Sequence, residues 1–292
     1  MSLPTMTTLH GLSFPQGITT VGVEFEGYWE RDESIPPPHD LDDCEDCHWD
    51  PDYNEHTYCD AYYLSDGDEE ETDRDARRRL DLKFDGSVEC DEWVPREEYV
   101  AGEVAAPLLE SWDAGIEFTA DRLPDTVDYK TGMHIHMGIT RALWEFSFSP
   151  KYWDHLRHTL TQVGASCSPQ TQAWMDARLA TGKSSEQQGT AYCRPNTMEN
   201  RDERYCMANY TAFDAHGTLE IRVCPMALGA RPASREHQTL AMIYGVLQAT
   251  SDYWTSRALW QQAAGHINAP EQLTLLTSEL TPAPPITRTI TV

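Results

Sequence analysis

The sequence predicts an α+β fold built around a largely antiparallel sheet. Stretches in which polar and apolar residues alternate, such as 19–29 and 131–139, are separated by segments with helical periodicity. The two kinds of segment do not alternate regularly, as they would in a parallel βαβ fold. Charged residues occupy every second position of several alternating stretches, so the sheet should have one polar face and one apolar face packed on helices.

The predicted elements follow from these patterns in chain order. Strands are expected where β-branched and aromatic residues alternate with polar ones, at residues 19–29, 80–89, 99–106, 131–139, 204–213 and 218–223. Helices are expected where apolar residues recur at three- and four-residue spacing, at residues 107–122, after Pro150, after Pro169 and from about 234 to 264. Residues 181–200 should be a loop, and residues 214–217 should form a turn.

One segment differs from the rest in composition. Residues 31–79 contain three consecutive prolines (36–38), many acids and three consecutive arginines (77–79). Such a segment contributes little apolar side-chain volume to a core. We therefore expect residues 1–292 to form a single domain that carries an insertion at 31–79.

The net charge of the chain limits the classes of partner that it is expected to bind. The formal net charge is −26, with 48 Asp and Glu against 22 Lys and Arg. Such a surface repels phosphate backbones, which argues against general nucleic-acid binding. The sequence has no run of about 20 apolar residues, and residues 1–16 lack the basic start and apolar centre of a signal peptide. We expect a soluble cytoplasmic protein that binds neither nucleic acid nor a membrane.

The insertion contains a cluster of metal-ligand residues. Cys44 and Cys47 are followed after eight residues by His56 and Cys59, so that two short ligand pairs have the spacing of a zinc knuckle. A structural Zn²⁺ would compensate for the small apolar content of this segment. His39 and His48 are alternative ligands, and a thiol-bearing surface loop without metal is the competing interpretation.

Residue pairs at i and i+2 on separate strands predict a second, carboxylate-rich site. Residues two apart on a strand point to the same face. The predicted polar face therefore carries the pairs Glu24 with Glu26, His134 with His136, and Glu220 with Arg222, together with Asp85 and Glu103 on further strands. A sheet whose outer face is merely solvated would also show such pairs.

Convergence of these carboxylates would have an electrostatic cost. Two like charges 4 Å apart repel by roughly 1 kcal/mol in water and by about 4 kcal/mol at an effective dielectric constant of 20. A cluster of four acids must therefore be partly protonated or neutralised by a divalent cation. Carboxylates with an imidazole suit Mg²⁺ or Mn²⁺, ions that also bind nucleotide phosphates.

Six short motifs follow one another along residues 20–225. They are Gly-Val-Glu-Phe-Glu (22–26), Lys-Phe-Asp-Gly-Ser (83–87), Gly-Glu-Val-Ala-Ala-Pro (102–107), Thr-Gly-Met-His-Ile-His-Met-Gly (131–138), Arg-Tyr-Cys-Met-Ala-Asn-Tyr (204–210) and Thr-Leu-Glu-Ile-Arg (218–222). In this order they resemble an amidoligase family of the glutamine synthetase and glutamate–cysteine ligase superfamily. The resemblance implies a glutamine-synthetase-like catalytic domain that binds ATP and two or more Mg²⁺ ions.

The resemblance also implies roles for individual residues. The expected metal ligands are Glu24, Glu26, Glu103, His134 and Glu220, with His136 beside them. Arg222 and Arg204 would bind phosphate or the substrate carboxylate, and Asn209 would orient the substrate or hold the backbone of the site. Asp85 falls where the family places the aspartate that receives the amine and removes its proton. The expected reaction joins a small-molecule or peptide carboxylate to an amine through an acyl phosphate.

Other motifs in the sequence allow alternative interpretations of the function. Gly182-Lys183-Ser184 resembles the end of a P-loop, but Ala177 stands where the first glycine is required. Lys183 is therefore not expected to belong to a P-loop. It remains a candidate nucleotide-binding residue only as part of a loop that covers the nucleotide. The pair His134 and His136 is also compatible with a metal-dependent hydrolase. A non-catalytic, zinc-stabilised binding module would explain the cysteines but not the acidic pairs.

Overall fold

The computed structural model describes residues 9–31, 73, 76–84, 88, 90, 94–95, 98–181, 193–200, 202–228 and 234–256, together with the backbone of residues 48–50, 55–57 and 257–263. Strands in this part of the chain are β1 Thr20–Glu30, β2 His48–Asp50, β3 Glu55–Thr57, β4 Tyr99–Ala105, β5 Gly132–Gly138, β6 Ala208–Asn209 and β7 Thr218–Pro225. Helices are α1 Trp112–Arg122, α2 Arg141–Ser147, α3 Pro150–Gly164, α4 Pro169–Thr181, α5 Ala212–His216 and α6 Arg235–Ala263. The fold is thus mixed, with helices and antiparallel strands, as predicted.

The main sheet has five strands in the order β4-β1-β5-β7-β6, and each neighbouring pair is antiparallel. A bulge interrupts the β5–β7 pair, because Met133 is paired with Cys224 but Ile135 with Ile221. Three residues of β7 therefore match two residues of β5 at this point. Bulges of this kind bend a strand and re-aim its side chains. Strands β2 and β3 form a separate two-stranded sheet.

The apolar face of the main sheet forms the core with the helices. Val23, Phe25, Ile135 and Ile221 are buried and belong to one large apolar cluster. Burying each such side chain contributes about 1.5–3 kcal/mol to the free energy of folding. This face fixes the orientation of the strands, because a slip of one residue would expose every apolar side chain.

Helices α3 and α6 approach each other closely on this side of the sheet. A Cβ atom built on Gly245 would lie 2.6 Å from Cγ2 of Val163, so only glycine fits there. The hydroxyls of Tyr152 and Thr250 also form a hydrogen bond of 2.9 Å between the two helices. The helical layer is therefore closely packed behind the strands that carry the polar face.

Several element boundaries differ from the sequence-based predictions. The helix expected at 107–122 begins at Trp112, because the Ser111 hydroxyl caps it by accepting the Ala114 N–H. The strand expected at 204–213 is reduced to the two residues of β6. Residues 212–216 form helix α5, which ends at Gly217 in the left-handed conformation, φ 69°. Tertiary contacts override the local alternation here.

The predicted strand at 80–89 is also largely wrong within the described residues. Residues 76–80 are helix and turn, and Lys83 makes only an isolated bridge to Glu103. The proposed zinc ligands Cys44, Cys47 and Cys59 lie outside the described residues. Of the fourth, His56, only the backbone is described, in β3.

Within the described part of the chain, none of the helices has the length and apolarity that crossing a membrane requires.

Candidate functional site

The polar face of the main sheet brings the predicted acidic and imidazole residues together. The strand register pairs same-face polar residues across four boundaries: Glu26 with Glu103, Glu24 with His134, His136 with Glu220, and Glu220 with Asn209. The antiparallel register sets these juxtapositions, since the partners are far apart in sequence. The result is a dense cluster of carboxylates around two imidazole rings.

His134 lies at the centre of the cluster. Its Nδ1 is 3.1 Å from Oε2 of Glu24 and 3.6 Å from Oε1 of Glu220, while its Nε2 is 3.2 Å from Oε1 of Glu26. Burial lowers the pKa of His134, but the neighbouring carboxylates, Glu26 foremost, outweigh burial and raise the pKa above its usual value. In the absence of a cation, the protonated ring partly neutralises the cluster.

The two carboxylates nearest the imidazoles respond in the opposite direction. Burial raises the pKa of Glu24, but the hydrogen bond from His134 and the positive charge of His134 and His136 outweigh burial and hold the pKa below its usual range. Burial likewise raises the pKa of Glu220, and the charges of His134 and Arg222 more than offset it, so that the pKa is also lowered. Both side chains are therefore ionised and suited to bind a cation.

His136 presents an unsatisfied nitrogen to the same carboxylates. Its Nδ1 is 3.2 Å from the Thr218 hydroxyl, which fixes the orientation of the ring. Its Nε2 is buried and has no hydrogen-bond partner among the described residues. This nitrogen lies 3.6 Å from Oε2 of Glu24 and 4.0 Å from Oε1 of Glu220. The three atoms lie within 4.8 Å of one another and could hold a cation between them.

Glu220 is held from two sides. Asn209 donates its amide to Oε2 of Glu220 at 2.5 Å, and Arg222 donates Nη1 to Oε1, also at 2.5 Å. Glu220 and Arg222 are two residues apart on β7 and remain on the polar face next to the bulge. The buried Nε of Arg222 lacks a hydrogen-bond partner among the described residues. Arg222 therefore retains hydrogen-bonding capacity beyond its contact with Glu220.

The position of Asn209 depends on its neighbour Tyr210. The Tyr210 hydroxyl donates to the carbonyl of Ser147 and accepts from the indole N–H of Trp153 at 2.9 Å. The carbonyl of Tyr210 accepts from the indole N–H of Trp144 at 3.1 Å. These buried bonds anchor the short strand β6 to helices α2 and α3, and they set the depth of Asn209 in the site.

Glu26 is held by the start of β5. The backbone N–H of Gly132 donates to Oε2 of Glu26 at 2.7 Å. A Cβ atom on residue 132 would lie 2.8 Å from that oxygen and 2.9 Å from Nη1 of Arg178, so glycine is required for this close approach. The glycine of the Thr-Gly-Met-His motif thus positions a carboxylate on the neighbouring strand.

These residues line one cavity of about 620 Å³. Its wall is formed by Glu24, Glu26, Phe84, Glu103, Lys130, His134, His136, Arg178, Cys193, Arg204, Tyr205, Asn209, Thr211, Ala212, Ala215, His216, Glu220 and Arg222. The volume suits a small-molecule ligand or cofactor. Every predicted site residue on the main sheet contributes to this wall.

The donor set fits one or two divalent cations. Glu24, Glu103 and His134 form one group whose ligand atoms lie within 4.8 Å of one another, and Glu24, His136 and Glu220 form a second. Glu24 belongs to both groups, so its carboxylate could bridge two ions. Oxygen-rich groups with one imidazole each suit Mg²⁺ or Mn²⁺. The unsatisfied Nε2 of His136 strengthens the assignment of the second group.

The remaining predicted residues fall at the edge of the site or outside the described part. Arg204 lines the cavity, and its guanidinium lies 5.2 Å from the ring centroid of Tyr205. Asp85 and Lys183 lie outside the described residues. Phe84, which precedes Asp85, lines the cavity.

Several cavity residues were not singled out from the sequence, among them Lys130, Arg178, Cys193, Tyr205 and His216. Arg178 lies on α4, and His216 lies at the end of α5. No strand alternation marks these positions, so only the tertiary structure assigns them to the site. Lys130 could have been found from the sequence. It directly precedes the Thr-Gly-Met-His motif and lies an even number of residues from His134 and His136, so that an extended chain would place all three on one side.

No family model matches the sequence, and no curated protein sequence matches it significantly.

Proposed function

We propose that this protein is an ATP-dependent carboxylate–amine ligase with a glutamine-synthetase-like fold and active site. One observation carries the proposal: two groups of candidate metal ligands share Glu24 in a cavity whose wall also bears arginine side chains. Carboxylates that hold cations, next to cationic side chains that hold oxyanions, are the combination that phosphoryl transfer requires. The antiparallel sheet with a polar face, and the chain order of the six motifs, support the finer assignment of the fold.

The candidate metal ligands would bind Mg²⁺ or Mn²⁺. Glu24, Glu103 and His134 would hold one ion, and Glu24, His136 and Glu220 the other. When bound, these cations neutralise the charge of the ATP phosphates. Asn209 and Arg222 orient Glu220, while Gly132 orients Glu26.

The arginines would act on the substrate oxyanions. Arg222 is buried and has an unsatisfied Nε, so an additional oxyanion contact would complete its hydrogen bonding. Arg204 is exposed at the cavity wall, close to the Tyr205 ring. We propose that Arg222 stabilises the transferring phosphoryl group and that Arg204 binds a substrate oxyanion at the entrance of the cavity.

The chemistry proceeds in two steps. A carboxylate oxygen of the first substrate attacks the terminal phosphorus of ATP, and ADP leaves with the electron pair of the broken bond. The amine then attacks the acyl phosphate carbon, loses one proton and releases inorganic phosphate as the amide forms. Asp85 is the proposed acceptor of that proton, since only the neutral amine is nucleophilic.

The test is substrate-dependent ATP turnover. Purified protein is incubated with ATP, Mg²⁺ or Mn²⁺, and pairs drawn from a panel of carboxylates and amines. We expect release of ADP and phosphate that requires both a carboxylate and an amine, with an amide product of matching mass. E24Q and E220Q should lose this turnover, whereas K151M, at an exposed position of α3, should retain it.

A second candidate function is a metal-dependent hydrolase. His134 and His136 both lie near Glu24, which could bridge two ions, and such paired sites also activate water in hydrolases. Ester or amide hydrolysis without ATP, lost in E24Q, would favour the hydrolase. Absence of both activities across the panel would reject the ligase proposal and leave a non-catalytic, zinc-stabilised binding module.

A further inference from the structure

Two exposed aromatic side chains lie on the wall of the cavity. Among the Phe, Tyr and Trp residues that the structure describes, Phe84 is 72% exposed and Tyr205 is 40% exposed, while the others are at least partly buried. Both line the cavity. The Tyr205 ring lies near Arg222 of β7, whereas Phe84 follows a residue that is bridged to the edge strand β4. Aromatic surface left in water lacks the stabilisation that burial provides, so exposed rings on a cavity wall indicate contact with a ligand.

The backbone before Phe84 is fixed against β4. Lys83 and Glu103 exchange two backbone hydrogen bonds of 2.7 and 3.0 Å, which attach the segment to the outer side of this strand. The approach is close, because a Cβ atom on Gly102 would lie 2.9 Å from the carbonyl oxygen of Lys83. Glycine is therefore required at position 102. The residue that carries the exposed ring follows directly from this contact.

Helix α1 holds the same segment from a second side. The guanidinium of Arg122 donates to the carbonyls of Leu80 and Asp81, at 3.1 and 3.3 Å. The N–H of Leu82 donates to the carbonyl of Arg77 at 2.8 Å. Asp81 adopts the left-handed conformation, φ 56°, which is uncommon outside glycine and persists where the surroundings enforce it. The segment is thus a defined turn, although it ends in an exposed ring.

The Phe84 ring departs from the alternation of the residues before it. Leu80 and Leu82 pack against the large apolar cluster of the core, and Phe84, two residues further on, is not part of that cluster. The guanidinium of Arg77 lies 5.0 Å from the centroid of the Phe84 ring, within the range of a cation–π interaction. Because the ring remains mostly exposed, it can also contact a flat apolar group in the cavity.

The surroundings of this ring favour an amine as the molecule that carries the flat group. Glu103, which is bridged to Lys83, belongs with Glu24 to the first candidate ligand group. Asp85, the proposed acceptor of the amine proton, follows Phe84 in the chain. The net charge of −26 attracts cations to the protein. An ammonium at one end and a ring at the other therefore match this side of the cavity.

We propose that Phe84 is a specificity-determining residue whose ring packs against an aromatic group of the amine substrate. This inference rests on the proposed function and narrows the class of amine to one that carries a flat ring. Phe84 contributes to the affinity for the amine and takes no part in phosphoryl transfer or in proton transfer.

The experiment compares ligands that differ only by a ring. Ligand-observed NMR titration in the presence of Mg²⁺ measures the affinities for phenethylamine and ethylamine, which share the ammonium. The proteins are the unsubstituted chain, F84A, F84Y and L108A, the last at an exposed apolar position outside the cavity wall. The unsubstituted protein should bind phenethylamine more tightly, and F84A should lower the ratio of the two affinities about 3- to 10-fold, the scale of an aromatic contact. F84Y and L108A should retain the ratio.

The ratio isolates the ring, because a change in folding or in charge affects both amines alike. The same ratio in F84A and the unsubstituted protein overturns the inference, as does the lack of any preference for phenethylamine. A loss in F84Y as large as in F84A also overturns it, because the ring would not be the cause.

Two further probes test whether the ring belongs to the amine. These are adenosine, and 3-phenylpropionate compared with propionate. A ring effect that F84A removes for either of these probes, but not for phenethylamine, overturns the assignment to the amine. Turnover plays no part in these measurements. A ring preference without amine-dependent ATP turnover would retain the ring contact and reject the ligase, whereas turnover with an unchanged ratio in F84A would do the reverse.

Discussion

The side-chain amide of Asn209 donates to Oε2 of Glu220 at 2.5 Å, across the β6–β7 pair. The amide cannot be reversed, because Oδ1 of Asn209 accepts both the backbone N–H of Thr211 at 3.0 Å and its hydroxyl at 2.7 Å. One oxygen of Glu220 is therefore occupied by Asn209, and the other faces Arg222 and the imidazoles.

The substitution N209D tests this relationship. An aspartate keeps the acceptor for Thr211 but places a second carboxylate against Glu220. We expect the free energy of unfolding of the metal-free protein to fall by about 1–3 kcal/mol, the cost of leaving a buried polar group unsatisfied. Denaturation with guanidinium chloride measures this free energy of unfolding. An unchanged unfolding free energy would mean that Asn209 does not constrain Glu220.

Substitution of Glu24 should weaken metal binding at both candidate positions, whereas substitution of Glu103 should weaken it at one. Glu24 is shared by the two candidate ligand groups, and Glu103 belongs only to the first. Titration with Mn²⁺ should show E24Q weakened at both positions by more than about 10-fold, since even outer contacts of a metal site have effects of that size. E103Q should weaken one position only. E110Q, at an exposed glutamate outside the cavity, is the matched control. Identical titrations of all three variants would reject the shared-ligand arrangement.

Gly132 should matter to the site through Glu26. In G132A the new methyl group would overlap Oε2 of Glu26 and displace this carboxylate from its position. Oε1 of Glu26 lies 3.2 Å from Nε2 of the candidate ligand His134, so we expect weaker Mn²⁺ binding. We also expect a loss of stability of about 1–3 kcal/mol, typical of overpacking. G115A is the matched control, because its nearest neighbour is Cδ1 of Leu109 at 3.7 Å. Alanine in the middle of α1 should stabilise the protein by about 0.5–1 kcal/mol. Full metal affinity in G132A would show that Glu26 can rearrange without cost.

Arg178 should be essential for folding stability. Its buried guanidinium donates to four backbone carbonyls, which R178M would leave without these donors. We expect a loss of about 3–5 kcal/mol, the cost of breaking a buried charged network. R141M is the comparison, because Arg141 pairs at the surface with Glu145 and Asp214 and should cost less than about 1 kcal/mol. Similar unfolding midpoints for the two variants would contradict the assigned role of Arg178.

The net charge of −26 should make stability depend on salt. Raising KCl from about 0.1 to about 1 M shortens the screening length from about 10 to about 3 Å, which weakens repulsion among surface carboxylates. The melting temperature of the metal-free protein should therefore rise with KCl and with choline chloride alike. A neutral osmolyte at equal osmolality controls for effects other than screening. A melting temperature that falls or stays constant would show that the surface charges do not oppose folding.

The sequence by itself determined the mixed fold and the composition of the polar face. The period-two spacing of Glu24 and Glu26, His134 and His136, and Glu220 and Arg222 assigns each pair to one side of its strand, because neighbouring side chains point to opposite faces. The apolar residues between them, such as Phe25 and Ile135, then specify the side that is buried. These properties are local, so alternation along a single strand is sufficient to predict them.

Only the tertiary structure decided how the strands are paired and what surrounds the polar face. The β1–β5 register, which places Glu24 opposite His134, joins residues 110 positions apart, and no local pattern encodes that distance. Packing against other elements also decides three further features. These are the bulge in the β5–β7 pair, the reduction of the predicted strand 204–213 to β6, and the contribution of Arg178 on α4 to the cavity wall. Local propensity is weak compared with the free energy of burying a whole face, so the tertiary contacts decide these features.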